Sequence, residues 1–210
     1  MRILIINPNS DIETNKIILE KANKLINGAY EVDCVNVKNA PKLISSYEDY
    51  ARTTPEMIEF VRQGEKTYDA FIVACHSDPN LDVLREVTNK PVVGIAEASM
   101  KIASMMGNSF AVISPSKKSI SKKFSLARKY HCNDLLKLVV VSKSDNEDDL
   151  LEASKEAVER GEVDAIVLGC ANYANADRYI EKQLDIPVLE GVACALILAS
   201  GLVRYKNYKI

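Results

Sequence analysis

Asp69-Ala70-Phe71-Ile72-Val73-Ala74-Cys75 returns as Asp164-Ala165-Ile166-Val167-Leu168-Gly169-Cys170, 95 residues further along a chain of 210. Each copy is an acidic residue and an alanine, a short apolar run, and a terminal cysteine. The run is too short for a helix and lacks the polar alternation of a half-exposed strand. It reads as a strand buried on both faces of a parallel sheet. Each cysteine then falls at the carboxyl end of its strand, outside which open α/β sheets bind their ligands. A duplicated fold of this kind is expected to turn two thiols toward one shared cleft, which is the arrangement of a two-base site.

Working outward, further apolar runs at Arg2–Ile6, Val92–Ile95, Phe110–Ile113 and Leu138–Val141 alternate with stretches of helical period. Strand-helix alternation of this kind predicts an α/β fold with parallel strands. Ser10 and Glu13 read as a capping box for a first helix whose apolar side carries Ile17, Ile18, Ala22, Leu25 and Ile26, ended by Asn27-Gly28. Pro55 reads as the opening of a second helix, Asp148 to Arg160 as another stopped by Gly161, and Asp78 and Pro79 as the N-cap and first residue of a helix after Cys75. That helix start, and one near Ala176 after Cys170, would favour each thiolate.

The repeat extends past the cysteines. Ile5-Ile6-Asn7-Pro8-Asn9-Ser10 matches Val112-Ile113-Ser114-Pro115-Ser116-Lys117, and Pro91-Val92-Val93 matches Pro187-Val188-Leu189. Three landmarks in one order predict two related lobes about a pseudo-twofold. The boundaries read as 1–97 and 98–190, with a last helix over 191–210 packing back on the first lobe. One long repeat is a domain pair and not a solenoid.

Composition excludes several classes. The 27 basic and 29 acidic residues give a formal charge of −2 and are spread along the chain, so neither nucleic acid nor an anionic membrane is an expected partner. The longest apolar stretch, Val192 to Val203, is broken by Ser200-Gly201 and reads as a buried helix. Met1 to Pro8 reads as a first strand and turn instead of a secretion signal, which places the protein in the cytoplasm. Five cysteines without close pairs, and two histidines without ligand spacing, suggest reduced thiols and no metal.

A single cysteine after an apolar strand is ordinarily a small buried hydrophobe. Two at equivalent strand ends are different, because packing does not require the same residue twice. Removing a proton from one face of a carbon and returning one to the other does require paired groups of similar acidity. Cys34, Cys132 and Cys194 have no such repeat and read as structural. Asn7, Asn9 and Ser10 can orient a carbonyl, imide or carboxylate, or can serve turn and capping chemistry; Ser114 and Ser116 carry the same two readings. His76 either tunes Cys75 or points away from it. Glu97 either faces the cleft or, as with Glu190 on the matching strand, fits a surface or helix-capping role, and Lys117, Lys118, Lys122 and Lys123 fit a solvated helix face.

These residues resemble the aspartate/glutamate/hydantoin racemase superfamily, in its hydantoin racemase branch, over nearly the whole chain. The resemblance lies in Ile6-Asn7-Pro8-Asn9-Ser10, Ser46-Tyr47-Glu48-Asp49, Ala74-Cys75-His76-Ser77-Asp78-Pro79, Pro91 to Ala98, Leu168-Gly169-Cys170-Ala171 and Pro187 to Ala193. It implies two Rossmann-like (flavodoxin-like) lobes with an interlobe active-site cleft, no cofactor, a small-molecule substrate, a homo-oligomer, and Cys75 and Cys170 as alternate base and acid. The amino-acid racemases usually carry Asn-Thr after the first cysteine and Thr after the second, whereas this chain has His76-Ser77 and Ala171-Asn172. That difference favours a cyclic ureide, a 5-substituted hydantoin or allantoin, over free aspartate or glutamate. Two rival readings are an amino-acid racemase, isomerase or decarboxylase on the same scaffold, and a non-catalytic small-molecule binding protein.

Overall fold

The computed structural model describes residues 1–208. Residues 209 and 210, the end of the expected last helix, lie outside the described residues. Two compact units emerge, one of Met1–Ile95 with the chain from Ala195 onward, the other of Ala96–Cys194.

In the first unit the order is β1 (Arg2–Asn7), α1 (Ile12–Ile26), β2 (Glu31–Asn36), α2 (Tyr47–Gly64), β3 (Ala70–Val73), α3 (Leu81–Glu86) and β4 (Val92–Gly94). In the second, α4 (Ile95–Met106) leads to β5 (Phe110–Ser114), α5 (Ile120–Lys129), β6 (Leu136–Val141), α6 (Glu147–Gly161), β7 (Ala165–Leu168), α7 (Asp177–Leu184) and β8 (Val188–Glu190). Helix α8 (Gly191–Tyr208) follows β8 directly, as α4 follows β4. The strand orders are β2-β1-β3-β4 and β6-β5-β7-β8, with every pairing parallel. The α/β class with parallel sheets is as the sequence predicts.

The two cysteine-bearing runs are central strands buried throughout, because helices cover both faces of a parallel sheet. In each sheet the chain leaves its first strand for one neighbour and then returns to the other side. The switch point lies between β1 and β3 in one sheet and between β5 and β7 in the other, and there the carboxyl ends open a crevice.

Strand β2 is not among the strands expected from apolar runs. Its Glu31-Val32-Asp33-Cys34-Val35-Asn36 alternates polar and apolar residues, as suits an edge position. Several helix starts also differ from expectation. Asp11, not Ser10, caps α1, its carboxylate accepting from the Glu13 N–H. Helix α2 begins at a Ser46/Asp49 capping box, so Pro55 lies inside it. The hydroxyls of Thr53 and Thr54 both donate to the Tyr50 carbonyl just before the proline. Gly161 is the last helical residue of α6, and Glu162 takes the left-handed stop at φ 47°. Asp78 and Pro79 do not open α3; Asp78 adopts φ 44° and Asn80 occupies the N-cap. The chain spends those residues turning away from the strand end first, with the Asp78 N–H donating to the Cys75 carbonyl at 2.9 Å.

Candidate active site

In the first unit β1 delivers Asn7, fully buried, to the carboxyl edge. Its Nδ2 donates to Asn9 Oδ1 at 2.9 Å and to Asn15 Oδ1 at 2.7 Å, and Asn15 in turn donates to Asn36 Oδ1 at 3.1 Å. Asn9 Oδ1 also accepts from the Asp11 N–H at 2.9 Å. The result is a corner of neutral carboxamides linking β1, α1 and β2. Asn15 and Asn36 are additions to the residues named from sequence. Had β2 been recognised, its in-register pairing of Asn36 with Asn7 would have pointed to one of them. Ser10 lies beyond the cap, its N–H donating to the Pro41 carbonyl.

Cys75 lies two residues past β3, beside that corner, because the Ala74 N–H bonds the Ile6 carbonyl. It is partly exposed. His76 is buried and Ser77 half-buried. The Asp78 carboxylate packs on Gly94, where an added Cβ would fall 2.3 Å from Asp78 Cγ. Tyr50 of α2 is a neighbour that sequence reading missed. Its phenol hydrogen-bonds Ser77, feels the Cys75 charge, and is pushed up to about 12, chiefly by burial. Asn80 fixes it there by donating to the Tyr50 carbonyl at 2.9 Å. The signal available was its helical spacing ahead of Thr53, Met57 and Val61, all buried.

The second unit fills the corresponding corner differently. Ser114 is fully buried at the end of β5, its hydroxyl paired with that of Ser119, while the Ser116 hydroxyl accepts from the Lys118 N–H at 3.2 Å. The Gly169 N–H donates to the Ile113 carbonyl at 2.7 Å, which ties the Cys170 strand end to β5. Cys170 is extended and caps a short 3₁₀ turn, Ala171–Tyr173. Six residues separate Cys170 from α7, so this turn, not an α-helix start, faces the sulfur.

Burial pushes the Cys170 thiol above its ordinary value. The Asn172 N–H, the Lys123 charge and the Ala171 N–H act in the opposite sense, and Asp145 adds to the rise. The Tyr173 ring is buried beside it, its phenol also raised by burial and by the Cys170 charge. Lys123 corrects the expectation of a solvated lysine face. It is 2% exposed, and its Nζ donates to the Gly169 carbonyl at 2.9 Å. Its spacing from buried Ala127 and Tyr130, four and seven residues on, marked that stripe of α5 as core-facing.

Glu190 is buried at the end of β8 and caps α8, accepting from the Val192 and Ala193 N–H groups at 2.7 and 2.8 Å. Cys132 and Cys194 are buried. Among the described residues no helix is long and apolar enough to cross a membrane.

The family model described as Asp/Glu/Hydantoin racemase matches residues 3–199. A hydantoin racemase of Pseudomonas sp. (strain NS671) is 34% identical, the match covering 100% of this chain and 91% of the relative. The hydantoin racemase of Paenarthrobacter aurescens is 32% identical over 97% of this chain and 91% of its own length. In architecture the chain is similar to allantoin racemase from Klebsiella pneumoniae, with a TM-score of 0.91 at 24% identity over 98% of this chain and 89% of that one. With matching strand order, two cysteine-ended central strands and relatives of this kind, the chain belongs to the Asp/Glu/hydantoin racemase family and is, like its named relatives, an isomerase.

Proposed function

We propose that the protein racemises a cyclic ureide, a 5-substituted hydantoin or allantoin, without a cofactor, using Cys75 and Cys170 as alternate base and acid. The observation that carries this is positional. Each cysteine stands two residues beyond the third strand of its unit, in sheets of the same strand order, within a chain that is 34% identical to a hydantoin racemase.

One cysteine, as thiolate, takes the proton from the stereogenic carbon beside the carbonyl and becomes a thiol. The electron pair moves onto the carbonyl oxygen as an enolate. The other cysteine, as thiol, returns a proton to the opposite face and is left as thiolate, and the roles exchange for the other enantiomer. The C5 hydrogen of a hydantoin is far more acidic than the α-hydrogen of an amino-acid anion, so neutral donors to the developing oxyanion suffice.

Both Asn7 hydrogens are committed to Asn9 and Asn15. We therefore assign Asn7 to holding Asn9, and the Asn9 amide, Ser10, His76 and Ser77 to the substrate on the first side. Ser114, Ala171 and Asn172 are assigned to it on the second. Carboxamides and hydroxyls suit an uncharged ureide ring better than a free carboxylate. All five cysteines carry reduced thiols, which fits the reducing cytoplasm.

The test is solvent isotope exchange with loss of optical rotation as a parallel readout. Cys75→Ser and Cys170→Ser are each expected to lose racemisation while retaining deuterium exchange of one enantiomer. Full racemisation by either variant would sink the two-base assignment. Turnover of aspartate or glutamate with none of hydantoins or allantoin would sink the substrate.

A further inference from the structure

We propose that Lys123 is a positioning residue for Cys170, clamping the strand end that carries it and favouring its thiolate. The geometry begins with Gly169. Its N–H bonds the Ile113 carbonyl at 2.7 Å and its carbonyl receives Lys123 Nζ at 2.9 Å, so the peptide before Cys170 is held from both sides. No side chain fits there, since a Cβ on Gly169 would lie 2.4 Å from the Ile113 oxygen.

A lysine that is 2% exposed is unusual, because removing an ammonium from water is costly without compensation. A neighbouring sulfur that carries negative charge during each catalytic cycle supplies such compensation. The titratable and charged groups that reach Cys170 come from three segments: Lys123 of α5, Asp145 ahead of α6, and Tyr173 of the turn after the cysteine. Lys123 favours the thiolate together with the Asn172 and Ala171 N–H groups; Asp145 opposes it, as does burial.

The catalytic meaning of this arrangement rests on the racemase reading, but the thiol chemistry does not, so the two can fail separately. The experiment is alkylation of the full chain by iodoacetamide across pH, followed by mass spectrometry of the peptide containing Cys170. It is run on the unaltered protein and on Lys123→Arg, Lys123→Gln and Lys123→Met. The pH midpoint for Cys170 is expected to rise in the Gln and Met variants, and each unit of rise slows alkylation at neutral pH by about tenfold. Arg is expected to preserve the midpoint. Gln retains an N–H donor for the Gly169 carbonyl and so separates loss of charge from loss of the clamp.

In steady-state assays kcat is expected to fall with KM nearly unchanged. An unmoved midpoint in a folded Gln or Met variant overturns the proposal. Where Gln and Met both lose the fold, read by circular dichroism, the Arg variant decides: a preserved midpoint upholds the proposal, and a raised midpoint with the charge retained overturns it. A raised midpoint in a protein that racemises nothing upholds the lysine assignment and sinks the racemase reading.

Discussion

The two strand ends carry the same nucleophilic atom in different settings. Beside Cys75 the corner is made of carboxamides, Asn7, Asn9, Asn15 and Asn36, with a tyrosine phenol bonded to Ser77. Beside Cys170 it is made of serine hydroxyls, a buried lysine and two backbone N–H groups aimed at the sulfur. Backbone topology was kept between the repeats and the side chains diverged. The difference teaches that one backbone topology can present a thiol in two unlike settings. Racemisation interconverts species of equal free energy, so the proposed two-base reaction requires each thiol to serve in both protonation states.

The strongest way to break the comparison is to isolate each thiol. In Cys75→Ser, racemisation is expected to fall by three orders of magnitude or more, ~4 kcal/mol of transition-state stabilisation. The residual deuterium exchange then depends on Cys170 alone. Because burial raises that thiol, a larger fraction is protonated at any given pH than for an ordinary cysteine. Exchange should therefore climb with pH to a midpoint above the usual value of about 8.5, as a pH-rate profile followed by NMR would show.

Next in size are the glycines. Gly169→Ala drives a Cβ against the Ile113 backbone oxygen and is expected to destabilise by about 3 kcal/mol, whereas Gly94→Ala meets only the Asp78 side chain and should cost about 1–2 kcal/mol. Urea denaturation measures both. Asn7→Ala breaks three hydrogen bonds of its side chain in a buried corner and should cost about 2 kcal/mol, against about 1 kcal/mol for Ser114→Ala. A larger loss for Ser114→Ala would reverse the view that the carboxamide corner is the more tightly linked. Smallest is Tyr50→Phe, expected to lower kcat/KM by less than about tenfold for one neutral hydrogen bond. The phenol titrates only near 12, so the pH profile below 10 should keep its shape in that variant.

Much of this was legible in sequence because buried parallel strands write themselves as unbroken apolar runs. Phe71-Ile72-Val73 and Ile166-Val167-Leu168 could be placed, and with them both cysteines, from residue type alone. Strand β2 was not, since an edge strand alternates and its Asp33 and Asn36 look like loop residues. Helix starts shifted where several capping residues compete within a few positions, as Ser10 and Asp11 do before α1. Two neighbours of the cysteines, Tyr50 passed over and Lys123 expected in solvent, share one cause. Each is polar by type yet sits on the apolar stripe of its helix, and residue type outvoted spacing.

Cys34 lends the molecule a practical property. Partial burial on the edge strand pushes its thiol up to about 12, so its thiolate is scarce where an enzyme is assayed and it is expected to be silent to thiol reagents there. Any labelling of the Cys75 or Cys170 peptide can thus be normalised to an unlabelled peptide from the same molecule. Loss of that silence during an experiment would report that the sheet had begun to open before catalysis itself had failed.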